Sequence, residues 1–259
     1  MSNLKAVFAN QKAFIPFVVA NDPDFDSTVN NVVALAKGGA DIVELGLPFS
    51  DPVADGPVIQ AADIRALKAD PDLPMDTLFD IVVKIRKQTD VPLAFLTYLN
   101  VVFQYGYEAF TARCDELDIR GLVIPDMPYE ERGEIVPFAE KHNIDLIPLI
   151  TPTSADRIEK IAKAATGFIY VVSSLGVTGE RSEFAKDLGS LIDRIKAVTD
   201  VPTAIGFGIH TPEQAAEMTS IADGAIVGSA CVNIVAENGA DAPAKLTEYA
   251  QQMKAAITK

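Results

Sequence analysis

The stretch DIVELGLPFSDPVADGP (residues 41–57) decides the fold. It opens on a short apolar run, Asp41–Gly46, interrupted by Glu44, and then turns into a segment rich in Pro, Asp and Gly. A run of this kind reads as a strand buried on both faces, and the Pro- and Gly-rich tail reads as the loop that leaves it. Seven further runs have the same character: Phe14–Ala20, Val91–Thr97, Gly121–Pro125, Asp145–Ile150, Phe168–Ser173, Thr203–Phe207 and Gly224–Gly228. Amphipathic stretches such as Ser27–Lys37, Thr77–Lys87 and Leu188–Val198 lie between them, and Gly38-Gly39 stands where a helix C-cap belongs. A strand-helix alternation repeated eight times predicts an α/β fold, a single-domain (β/α)8 (TIM) barrel with extra helices over residues 1–259. A doubly wound sheet uses fewer strands, and no linker divides the chain.

Composition narrows the function. Lys+Arg number 22 against 36 Asp+Glu, a net charge of −14 that argues against nucleic acid and anionic membranes as partners. The two cysteines, Cys114 and Cys231, make no disulfide framework and suggest a reducing, cytoplasmic setting. With only His142 and His210, a His-rich metal site is not available. The N-terminus lacks the apolar run of a signal peptide, and no stretch approaches a membrane span.

Two βα connections are long. The second and third runs start about 50 residues apart and the sixth and seventh about 35, so Asp51–Pro57 and Val177–Phe184 read as loops on the C-terminal face of the barrel. ADPDLPM (69–75) reads as a break between two helices of the first insertion. KIRKQTDVPLAF (84–95) and RIKAVTDVPTAI (194–205) share one helix–turn–strand pattern around TDVP.

The same opening stretch holds the chemistry. Glu44 shares a strand face with Ile42 and Gly46, a face that points inward in a barrel. An unpaired carboxyl there gains proton affinity and becomes a proton donor or acceptor; the plain alternative is a Glu paired to a neighbouring donor. Asp51 and Asp55 follow in the loop, where Asp commonly makes turns, but at a strand exit where barrel enzymes place catalytic groups. Carboxylates in unlike environments can divide acid and base roles. A Mg²⁺ site is the rival use, and with no second carboxylate cluster the expectation is no metal.

Glycines mark the other strand exits: GVTG (176–179), GFG (206–208) and GS (228–229), the last opening a helix. Glycine lets backbone approach a ligand, and the last βα loops with a helix N-terminus form the usual phosphate site of such barrels. These motifs carry no Lys or Arg, so a phosphate would be held by backbone amides and Ser229. His210 beside GFG reads as a loop residue, and His142 before Asn143 as a residue at a helix end. Phe17, Leu96, Tyr98, Tyr170 and Phe207 lie near strand exits, as ordinary core or as the wall of an aromatic-binding pocket.

Taken in order, ELGLPFSDPVADGP, PFVVANDP (16–23), FLTYLNVVFQYG (95–106), GLVIPDMP (121–128), GVTG, IGFGI and IVGSA resemble the tryptophan synthase α chain family over essentially the whole length. Val19 and Asn21 depart from the family's PFVTAGDP, VSSLGVTG differs from the SRSGVTG form, and ADPDLPM departs between the insertion helices. The resemblance implies a lyase of tryptophan biosynthesis that splits indole-3-glycerol phosphate into indole and glyceraldehyde 3-phosphate by a retro-aldol step, with no cofactor in this chain. It implies Glu44 as the general acid on indole C3 and Asp55 as the partner of the indole N–H. It further implies phosphate binding by Gly179, Gly208, Gly228 and Ser229. Phe17, Leu96, Tyr98, Tyr170, Thr178 and Phe207 match positions around the indole and substrate. A PLP-dependent β chain is the implied partner, in an α2β2 heterotetramer, with Asp51 and Pro52 in the loop that meets it. The competing readings are a phosphate-binding barrel isomerase and a non-catalytic subunit that activates the β chain. The isomerase would call for a Lys, Asp or His set over several strands, which the sequence does not show.

Overall fold

In the computed structural model, which describes residues 3–172, 181–206 and 208–258, a nine-stranded parallel sheet wraps into a barrel. Its strands are β1 (Ala13–Val19), β2 (Val43–Gly46), β3 (Leu93–Leu96), β4 (Ile119–Val123), β5 (Asp145–Ile147), β6 (Leu149–Ile150), β7 (Ile169–Val172), β8 (Thr203–Gly206) and β9 (Gly224–Val227). Their spatial order is β5-β4-β3-β2-β1-β9-β8-β7-β6. The two ends of that order, β5 and β6, are consecutive in the chain with Pro148 alone between them. Proline has no N–H to give a ladder. The run Asp145–Ile150, expected as one strand, is therefore two, and the eight expected strands become nine.

Side chains alternate between two layers, as a strand requires. Along β1, Ala13 and Ile15 join Ile42, Ala94, Val123, Ala204 and Ile226 inside the barrel, while Phe14 and Val18 pack outward among the helices. Leu4, on the helix Asn3–Val7, plugs the N-terminal end; a Cβ on Gly121 of β4 would stand 2.7 Å from its Cδ1. Phe17 and Val19, nearer the other end of β1, pack with Ala62, Ala66 and Val232 of the helices Pro57–Ala69 and Ser229–Asn238. The barrel interior is thus filled by side chains at the N-terminal ends of the strands and packed against two helices at the other end.

Several boundaries move for local reasons. β2 begins at Val43 because the Asp41 carboxylate is occupied just before it, accepting Phe14 N at 2.7 Å and Lys254 Nζ at 2.7 Å. The insertion after β2 holds two helices, Pro57–Ala69 and Met75–Arg86, broken at Asp70–Pro74 as the ADPDLPM stretch predicts. The helix expected over Leu188–Val198 runs over Arg181–Lys196, so residues 181–184 of the expected loop Val177–Phe184 are helical. From Arg181 onward the sequence offers Glu183, Ala185 and Lys186 and no proline, a helix-forming composition. The two TDVP copies do fold alike: Val91 N bonds to Thr89 Oγ1 at 3.2 Å and Val201 N to Thr199 Oγ1 at 3.3 Å, each just before a strand.

Candidate active site

Glu44 sits near the C-terminal end of β2, in register with Phe17 of β1 and Ala94 of β3. It is 2% exposed and its Oε1 has no hydrogen-bond partner among the described residues. Loss of hydration without a compensating donor raises the proton affinity of a carboxyl. Burial, reinforced by the nearby Asp55 charge, pushes the Glu44 pKa up to about 8. Glu44 is therefore an uncharged acid at neutral pH.

Asp55 is held by the loop that leaves β2. Tyr98, at the start of the helix Leu99–Tyr105, donates its hydroxyl to Asp55 Oδ2 at 2.7 Å and accepts Ala54 N at 3.0 Å. The Tyr98 ring is buried and stacks on Phe49, with centroids 5.1 Å apart. Burial raises the Asp55 pKa while the Tyr98 hydrogen bond pulls it back. The two carboxyls thus differ in kind: one dry and unpartnered, the other half-buried with a donor.

Both line one cavity of about 660 Å³ together with Phe17, Leu96, Tyr170, Gly208, Gly228 and Ser229. Two glycines make room for the rings in its wall. A Cβ on Gly46 would lie 2.5 Å from Phe17 Cζ, and one on Gly206 would lie 2.6 Å from Tyr170 Cζ. Gly228 is different. A Cβ there meets only ordinary contacts, Phe17 Cδ1 at 3.6 Å and Ile59 Cδ1 at 3.8 Å, so the space it leaves belongs to the cavity and not to a packed neighbour. Gly228 is also the N-cap of the helix Ser229–Asn238, whose first amides are free to meet an anion. Gly208 has φ +79, a conformation that suits glycine. Desolvation, then Glu44 and Asp55, raise the Tyr170 phenol well above its usual range, so it stays a neutral donor.

Eight of the sequence-derived residues therefore share this cavity: Glu44, Asp55, Phe17, Leu96, Tyr170, Gly208, Gly228 and Ser229. Tyr98 joins the site through its hydroxyl, which bonds Asp55 Oδ2 and Ala54 N of the loop that leaves β2. Asp51 is exposed and bonded to Ser50 Oγ, with Pro52 half-buried and Val53 83% exposed beside them. Thr178, Gly179 and Phe207 lie outside the described residues. His210 lines the cavity mouth, its Nδ1 3.0 Å from Gly208 O. His142 ends the helix Val136–Lys141, with its ring 3.2 Å from Glu108. Sequence reasoning missed the apolar wall of Ile59, Leu149 and Ile226, and Tyr129, Arg132 and Arg157 also along the cavity. It also missed Asp63, buried in the helix Pro57–Ala69. The signal for Asp63 was present: a carboxylate on the same helical face as Ala62 and Ala66 breaks the amphipathic pattern.

A family profile described as Tryptophan synthase alpha chain matches residues 1–258. The chain belongs to the tryptophan synthase alpha chain family. A tryptophan synthase alpha chain of Lacticaseibacillus casei is 65% identical over 257 residues, 99% of this chain and 96% of that one. That of Lactiplantibacillus plantarum is 54% identical over 258 residues, 99% of this chain and 97% of that one. Among solved structures, tryptophan synthase subunit alpha from Legionella pneumophila superposes with a TM-score of 0.89 at 34% identity, covering 99% of this chain and 98% of that chain. A Mycobacterium tuberculosis tryptophan synthase structure gives 0.90 at 33% identity, covering 100% and 99%. The barrel derived from strand order is thus the fold of the tryptophan synthase alpha chains. Among the described residues, no helix is long and apolar enough to cross a membrane.

Proposed function

We propose that this chain performs the α reaction of tryptophan biosynthesis, with Glu44 and Asp55 dividing its acid–base work. The substrate is indole-3-glycerol phosphate and the products are indole and glyceraldehyde 3-phosphate. The observation that carries the reading is Glu44, an unpartnered and protonated carboxyl in the same cavity as a hydrogen-bonded aspartate.

The steps balance without an outside reactant. Glu44 gives its proton to indole C3, which breaks the ring's aromaticity and leaves positive charge at the indole nitrogen. The Asp55 carboxylate stabilises that charge or takes the N–H proton. Glu44, now a carboxylate, removes the proton of the glycerol hydroxyl next to the ring. The bond from C3 to the glycerol carbon breaks, its electron pair restores the indole, and the hydroxyl carbon becomes the aldehyde. Any proton lent to Asp55 returns to the nitrogen.

The rest of the cavity fits that substrate. Phe17, Leu96 and the wall of Ile59, Leu149 and Ile226 suit an indole ring, and Gly208, Gly228 and Ser229 suit a phosphate in a chain of net charge −14. By the family resemblance Thr178, Gly179 and Phe207 are further candidates for contact with the substrate; they lie outside the described residues. Residues 1–259 act as one barrel domain in the cytoplasm, in keeping with two buried, unpaired cysteines. The partner is a β chain that carries PLP, in an α2β2 assembly, with Asp51 and Pro52 on the contact loop beside the exposed Val53.

Indole release from indole-3-glycerol phosphate, measured for the isolated chain and with a β chain added, tests the reading. Release by the chain, accelerated by the β chain and abolished in Asp55→Asn, is the expected result. No release in either setting would overturn it.

A further inference from the structure

His210 stands at the mouth of the active-site cavity with Gly208, Gly228 and Ser229, and the mechanism above gives it no work. Its main chain is fixed from two sides. His210 N donates to Gln214 Oε1 at 2.9 Å, and His210 O accepts the Tyr249 hydroxyl at 3.0 Å. The ring is fixed as well, with Nδ1 3.0 Å from Gly208 O. A carbonyl oxygen only accepts, so Nδ1 carries the proton of that bond. Among the described residues nothing hydrogen-bonds Nε2. Of the groups around it, Gln214 is uncharged and burial keeps the Tyr249 phenol neutral. Glu213, in the first turn of the helix Pro212–Ile221, is bonded to Thr211. The other cations of the cavity are elsewhere: Arg132 and Arg157 follow β4 and β6, whereas Gly208 and Gly228 follow β8 and β9. Arg157 is paired with Glu130, and Arg132 donates to Ala164 O at 3.1 Å from both Nη atoms.

Among the described residues, the glycine end of the cavity thus has one side chain able to carry positive charge, His210. We propose that His210 binds the substrate phosphate through Nε2, with Nδ1 held on Gly208 O, and supplies the charge that the glycine motifs lack. The proposal rests on the phosphate lying at Gly208, Gly228 and Ser229. A proton count follows from the geometry. With Nδ1 donating to Gly208 O, a neutral ring leaves Nε2 a bare acceptor. A phosphate dianion also only accepts, so the two meet by sharing one added proton, as imidazolium against dianion. Where the free ring and the free phosphate both lack that proton, binding takes it from solvent.

At about pH 8 an ordinary imidazole is neutral and a phosphate monoester is a dianion. Calorimetric titration with glycerol 3-phosphate at that pH, in buffers of different ionisation heat, reads affinity and proton uptake together. His210→Asn keeps a donor near the place of Nδ1 and removes Nε2. It should bind glycerol 3-phosphate about 10- to 100-fold more weakly, the worth of a hydrogen bond between charged groups, and should lose the proton uptake. With indole-3-glycerol phosphate its KM should rise more than its kcat falls. Binding of indole-3-glycerol, which has no phosphate, should not change. A side chain that only shapes the loop would not alter the number of protons taken up. Equal affinity for glycerol 3-phosphate, or equal proton uptake, in wild type and His210→Asn overturns the proposal. Gly228→Ala separates it from the placement of the phosphate. If Gly228→Ala binds glycerol 3-phosphate like wild type, that placement fails and the proposal with it; if it binds weakly while His210→Asn binds like wild type, only His210 fails. Should His210→Asn not fold, nitrogen-15 NMR of labelled histidine in the wild-type chain decides, with His142, which does not line the cavity, as internal reference. Saturating glycerol 3-phosphate should leave the His210 ring protonated on both nitrogens, and a ring that stays singly protonated overturns the proposal.

Discussion

The Tyr98 hydroxyl donates to Asp55 Oδ2 at 2.7 Å while it accepts Ala54 N at 3.0 Å, so one buried phenol fixes both the loop that leaves β2 and its carboxylate. A hydrogen bond to a charged group contributes about 1.5–3 kcal/mol. Tyr98→Phe should therefore lower kcat about 10- to 100-fold. The substrate KM should change less than kcat, since the substitution keeps the ring and removes only the bond to Asp55. Because the Tyr98 bond lowers the Asp55 pKa, its loss should also move the acid limb of the rate profile to higher pH. Steady-state kinetics across pH reads both effects.

Two glycines at neighbouring strand ends should respond in opposite ways to alanine. Gly206→Ala places a methyl 2.6 Å from Tyr170 Cζ and should cost about 1–3 kcal/mol in denaturant unfolding through overpacking. Gly228→Ala meets nothing closer than 3.6 Å and should fold normally. Its methyl enters the space proposed for the phosphate, so the variant should show a raised KM and weaker binding of a glycerol phosphate analogue. Equal stability losses in the two variants would contradict this division.

Glu44 and Asp63 make the fold pH-sensitive in a defined direction. Both have folded pKa values raised to about 8, from 4.5 and 3.8. The unfolded chain gives up these protons first, so stability is fully present below about pH 4 and falls as pH rises through 8. One pKa unit corresponds to about 1.4 kcal/mol, so the Glu44 contribution alone amounts to a few kcal/mol. Glu44→Gln should be more stable than wild type at pH 8.5 and nearly equal to it at pH 4.5, as measured by urea unfolding.

Much of this architecture was legible in the chain itself. The barrel follows from apolar runs alternating with amphipathic ones, because parallel strands buried on both faces leave that pattern. Glu44 stood out because a carboxylate interrupts such a run on its inward face. The split at Pro148 was concealed because hydrophobicity continues across it while the hydrogen-bond ladder does not. The bond from Tyr98 to Asp55 was not legible, because a position near a strand exit says nothing of where a hydroxyl is spent. Asp63 was legible only as a carboxylate on the buried face of its helix, beside Ala62 and Ala66; its surroundings, with Arg65 already engaged by Asp22, are set by the fold and not by spacing.

The central claim is that Glu44 enters the reaction as an uncharged acid. Difference infrared spectroscopy of the carboxyl stretch, wild type minus Glu44→Gln, measured as a function of pH, tests it most directly. The account predicts a protonated carboxyl signal at neutral pH that disappears with a midpoint of about 8, together with loss of nearly all indole release in the folded variant. A signal that vanishes near the ordinary value of 4.5, or a Glu44→Gln chain that still cleaves the substrate, would contradict it.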